Sequence, residues 1–135
     1  MEKKEFKTEW CLLQNQFDSY EKHSLYIKLI SIFVMLAVEI LDVISIFILL
    51  ILAVLWLQDA IWKTFQSRIE QRLLQIENYI SEKSEESVFQ FNREYHNTRL
   101  SGLSLIKEYV RQSIRPTVAF PHIVLILILL VQYVL

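Results

Sequence analysis

The chain has 135 residues, 53% of them hydrophobic and 21% charged, with one glycine, two prolines and one cysteine. Average usage would supply roughly nine glycines at this length, so glycine-rich phosphate loops and tightly turned sheets are poorly supported, and Cys11 alone excludes a disulfide framework. A net charge of −1 and a pI near 6.3 make no case for a nucleic-acid partner. The mean hydropathy of +0.32 is too high for a disordered chain. Its apolar residues come in blocks, and the length allows one domain.

Residues 1–22 carry the apolar stripe Phe6, Trp10, Leu13, Phe17 and Tyr20. Its alternating spacings of four and three mark one helix face, close to the seam of a coiled coil. No cleavable leader is expected, because acidic residues interrupt this segment and it lacks an apolar core. Cys11 beside Trp10 is either a buried thiol or a palmitoylation candidate.

From Leu25 to Leu57 the chain is apolar apart from Lys28, Ser31, Glu39, Asp42 and Ser45. A straight helix of that length would measure about 50 Å, against a hydrocarbon core of roughly 30 Å. It would also bury Glu39 and Asp42 near mid-membrane, at about 2.5–3.5 kcal/mol for a central charge. A hairpin avoids both problems, with spans from about His23 to Val38 and from Val43 to Gln58 and a turn at Ile40-Leu41. Lys28 then snorkels to its own end of the first span.

Charge placement favours the hairpin. All 14 Lys and Arg fall in two blocks: Lys3, Lys4, Lys7, Lys22 and Lys28 before it, and the rest from Lys63 to Arg115 after it. The positive-inside rule puts both blocks in the cytoplasm, which requires an even number of crossings between them.

After the second span the stripe Trp62, Phe65, Ile69, Leu73, Ile76 and Ile80 repeats the helical pattern. No glycine or proline separates either stripe from its span, so two long helices are expected, at about residues 4–38 and 43–81. Counting outward from the turn sets Lys22 level with Asp59 as an interhelical pair, worth about 0–1 kcal/mol at an interface. The polar run 81–87 marks a break, with Ser84 a candidate N-cap. A helix over 85–115 follows, stopping before Pro116.

Residues 119–135 form a third apolar block, entered through Pro116 and Pro121 and free of charge. With about 15–19 usable residues it reads as a C-terminal anchor, or as a re-entrant segment.

Few residues suggest chemistry. His23, His96 and His122 share no metal spacing, and no nucleophile, phosphate-loop or dinucleotide motif occurs, so neither an enzyme nor a cofactor is expected. His122, entering an apolar segment, is a candidate titratable membrane residue. Glu39 and Asp42, three apart, are a candidate acidic ring at a pore mouth, or the polar content of an external turn.

The fold class is therefore an all-α membrane protein. It comprises a cytoplasmic amphipathic helix (1–22), a transmembrane hairpin (23–58, turn 39–42), a cytoplasmic helical region (59–116, break 81–87) and a C-terminal anchor (117–135). The N-terminus is expected in the cytoplasm and the C-terminus outside. The apolar stripes exceed what a three-helix monomer needs, which suggests self-association in the bilayer. The hairpin at 23–58 with its flanking helices resembles in layout the small two-span effectors of bacterial defence systems. That resemblance implies an inner-membrane effector, a pore or membrane-perturbing protein gated by its cytoplasmic helices. A non-catalytic adaptor docking a cytoplasmic partner or a larger membrane complex, through residues such as Phe89, Phe91, Tyr95 or Tyr109, is the alternative.

Overall fold

A computed structural model describes residues 2–82, 93, 96 and 101–135. Among these residues the chain forms four helices and no strand: α1 (Glu2–Leu41), α2 (Ile46–Glu82), α3 (Leu103–Ile114) and α4 (Pro116–Val134). Of the expected break at 81–87, Ser81 and Glu82 still belong to α2; the rest of it, the Ser84 cap, Phe89, Phe91, Tyr95 and most of residues 85–100 lie outside the described residues. α1, α2 and α4 are long and apolar enough to cross a membrane.

α1 and α2 are unbroken because neither contains a glycine or proline, and the short connection at 42–45 makes them antiparallel neighbours. Residues pair across the seam all the way along, from Trp10 with Glu77, through Phe17 with Gln66, to Ser24 with Asp59. The two stripes legible in the sequence meet at the open end, where Phe6, Leu13, Ile69, Leu73 and Ile76 form a buried core. Toward the turn a second core joins Met35 and Val38 of α1 to Leu52 of α2 and Leu129 of α4. Around this second core many large apolar side chains face outward, including Phe33, Ile40, Phe47 and Val54. A small polar-surfaced core at one end and apolar surface at the other suit a helix pair that leaves water for lipid.

The turn falls later than the sequence suggests. α1 continues through Ile40 and Leu41, and the connection is 42–45. Leu and Ile sustain a helix, whereas Asp42 adopts a left-handed backbone with φ of 51°, a conformation Asp tolerates better than apolar residues do. The Val43 N–H then reaches back to the Val38 carbonyl at 3.3 Å, the long bond of a Schellman cap. Ser45 caps the next helix: its hydroxyl accepts from the Phe47 N–H at 3.3 Å, satisfying one of the free donors at the helix start. Asp42→Val is thus expected to lower stability by about 1–2 kcal/mol, the penalty for a left-handed residue with a full side chain. Asp42→Gly should be neutral or stabilising, and thermal unfolding of detergent-solubilised protein followed by helical circular dichroism separates the two.

α3 ends at Ile114, and Arg115 takes an extended conformation before Pro116. Within α4, Phe120 is extended as well (ψ 134°) ahead of Pro121, as the residue before a proline prefers. These two interruptions bring α4 back against α1 and α2 with His122 turned inward.

Candidate functional site

The middle of the molecule, between the two apolar cores, is polar. Ser24, Lys28 and Ser31 are spaced four and three apart, so they share one face of α1. Asp59 of α2 and His122 of α4 complete the set. Ser24, Ser31 and Asp59 are fully buried and His122 is 1% exposed. The Lys28 side chain is 19% exposed.

Each member has defined partners. The Ser24 hydroxyl donates to Asp59 Oδ1. His122 Nε2 lies 3.2 Å from Asp59 Oδ2, and Lys28 Nζ lies 3.8 Å from the same oxygen. Lys28 also donates to the Thr117 carbonyl at 2.7 Å, one of the carbonyls of the kinked entry to α4. On the other side of the imidazole, Ser31 Oγ sits 3.4 Å from Nδ1 and 3.0 Å from the Ile27 carbonyl. All three apolar helices therefore meet at one carboxylate. The Lys28 charge opposes that of Asp59, which offsets part of the penalty an isolated charge would carry there.

The geometry constrains the protons. A carboxylate only accepts, so Nε2 must carry a hydrogen to bond Asp59. Nδ1 then has two arrangements. When Ser31 donates to the bare nitrogen the imidazole is neutral. When Ser31 donates instead to Ile27, its oxygen is open to an Nδ1–H and the ring is a cation. Rotating one hydroxyl thus accommodates either charge state without moving a helix. The residue types match a hydrolytic triad, but Ser31 is completely enclosed, so no substrate carbonyl can approach its oxygen in this arrangement.

The expected Lys22–Asp59 pair is replaced by Lys28–Asp59. Lys22 is exposed: it is two residues from Ser24, about 200° around α1 and away from α2. Lys28, one turn beyond Ser24, is the cation on the facing side, and its ammonium turns inward instead of snorkelling. Glu39 accepts a hydrogen bond from Gln132 of α4, while Asp42 occupies the turn. Both acids are exposed at that end of the molecule. His96 is exposed, and His23 stacks in an aromatic group with Tyr20 and Trp62, its ring centroid 5.2 Å from that of Trp62.

Further along the α1–α2 seam two ion pairs differ in kind. Lys63 Nζ lies 2.6 Å from Glu21 Oε2, and Gln66 donates to the same oxygen at 2.8 Å. These two donors, Lys63 first, hold the Glu21 carboxyl below the usual carboxylate range. Arg72 Nε donates to Glu9 Oε1 at 2.9 Å, and both side chains are nearly enclosed, at 2% and 4% exposure. Among the described residues no group of three His, Cys, Asp or Glu side chains is placed to hold a metal ion.

The spacing of Ser24, Lys28 and Ser31 was the available signal for the polar set. A polar face on an otherwise apolar helix turns to the bundle interior, where it must meet polar residues of the other spans. Asp59 and His122 are the ones within reach. Compared with protein families, curated proteins and solved structures, the chain matches none.

Proposed function

We propose that the chain is a small helical integral membrane protein that self-associates, a pore-forming or membrane-perturbing effector gated by its cytoplasmic helices. The observation that carries this proposal is continuity. α1 and α2, of 40 and 37 residues, pass unbroken from the Phe6–Ile76 core into their apolar sections. A rotation or slide imposed on the open end is therefore felt at Asp59 and at the turn, since a helix transmits motion along its axis. Ionisable groups set among spans are costly and usually functional. In the proposed mechanism the Lys28–Asp59–His122 set holds α4 against the hairpin in the resting state.

Release of an encapsulated dye from liposomes tests the proposal. Wild-type protein is expected to release dye, and Glu39→Gln/Asp42→Asn to alter the release if the acidic pair lines an opening. Liposomes that remain tight under all conditions would remove the pore mechanism. A second possibility, a membrane adaptor, draws on one observation: an apolar groove of about 410 Å³ at the open end, lined by Lys7, Trp10, Cys11, Glu77 and Ile80. Retained liposome integrity together with binding of a soluble partner that Trp10→Ala abolishes would favour the adaptor.

A further inference from the structure

α3 is inside out for a helix in water. Leu103, Ile106, Val110 and Ile114 follow one another at helical spacing, and all four face outward, 85%, 57%, 52% and 67% exposed. The opposite side, which packs against α2, presents Gln112 at 3% exposure, bonded to Glu108 at 3.0 Å and to Arg115 at 3.1 Å. A soluble amphipathic helix buries the stripe and exposes the amide. The reverse arrangement belongs to a helix whose outer side meets hydrocarbon.

Two further observations fix what covers the stripe. The first is depth. The Trp56 indole N–H donates to the Ser113 carbonyl at 3.1 Å, and Trp56 stands at the end of the apolar run of α2 away from the turn, which closes at Leu57 before Gln58 and Asp59. The C-terminal end of α3 is therefore level with the edge of the apolar section, the depth at which an interfacial helix lies. The second is continuity and charge. Past Ile114 the chain continues with outward apolar side chains of α4, Phe120 and Val124. Lys107 and Arg111 border it on one side, both exposed, with Arg111 3.8 Å from Glu108.

We infer that α3 is seated in the headgroup–acyl boundary of the bilayer, its apolar stripe against lipid chains and Lys107 and Arg111 at the headgroups. The broken pair α3–α4 then forms one membrane-embedded unit, in place of a span preceded by a water-borne helix. This inference rests on the proposed membrane residence of the chain, and its test separates the two.

Single cysteines at Ile106, Val110 and Val124 in full-length Cys11→Ser protein are labelled with an environment-sensitive nitrobenzoxadiazole dye. The proteins are reconstituted in phosphatidylcholine–phosphatidylglycerol vesicles with and without doxyl-labelled lipid. Ile106 and Val110 are expected to give blue-shifted emission, quenched by doxyl lipid as strongly as Val124. Quenching at Val124 with water-like emission at both α3 sites overturns the inference alone. So does blue-shifted but unquenched emission there, which identifies a second copy or another segment of the chain as the cover. Loss of quenching at all three positions overturns membrane residence and the inference together. Matching helical circular dichroism across the variants, and agreement between the two α3 positions, guard against a local folding defect.

Discussion

Replacing Asp59 with alanine is expected to destabilise the protein by about 3–5 kcal/mol, the usual consequence of removing one partner from a buried charge set. The carboxylate takes the Ser24 hydroxyl on one oxygen and faces His122 and Lys28 with the other. Without it a half-buried ammonium faces an imidazole with no counter-charge, and a buried hydroxyl loses its acceptor. Thermal or denaturant unfolding in detergent measures the change. Asp59→Asn keeps the shape and an acceptor for Ser24, so its effect should be smaller. Replacing the whole set with apolar residues (Lys28→Met, Asp59→Leu, His122→Leu) should recover much of the loss, because a buried ion pair is no more stabilising than good apolar packing. An Asp59→Ala effect within about 0.5 kcal/mol, the range of an ordinary surface change, would show that the carboxylate does not hold the three helices together.

Glu9 and Arg72 carry the second large effect. Their side chains are almost fully enclosed and 2.9 Å apart, at the end of the molecule away from the turn. Glu9→Ala or Arg72→Ala is expected to cost about 3–5 kcal/mol, while the double apolar replacement should lie closer to wild type. The Lys63–Glu21 pair provides the contrast. The Glu21 side chain is 59% exposed, so water screens the pair, and breaking it should cost about 0–1 kcal/mol. A double-mutant cycle on each pair measures its coupling directly. Equal coupling for the two pairs would contradict the burial difference on which the expectation rests.

Much of the architecture is legible before any coordinates. Long stretches without glycine or proline dictate long helices, and the stripes at Phe6–Tyr20 and Trp62–Ile80 find each other because a hairpin makes them antiparallel neighbours. The turn is less legible, since its place depends on a single backbone conformation at Asp42 and not on where apolar residues stop. The partner of Asp59 is lost for a related reason. Counting residues from a turn gives depth along two helices but not rotation about them, and rotation separates Lys22 from Lys28. α3 shows the limit of pattern alone. Its stripe identifies an amphipathic helix, but not which side packs against the rest of the molecule; in the fold Gln112 is enclosed and the stripe stays outward.

The hairpin is the arrangement on which every other proposal depends, and selective labelling tests it most directly. Ile40 is 81% exposed beside the turn, and Cys11 is exposed at the other end of α1. With a membrane-impermeant maleimide, Ile40→Cys in a Cys11→Ser background is expected to label on intact expressing cells, and wild-type Cys11 only after lysis. Labelling of Ile40→Cys only after lysis would contradict the hairpin and its orientation.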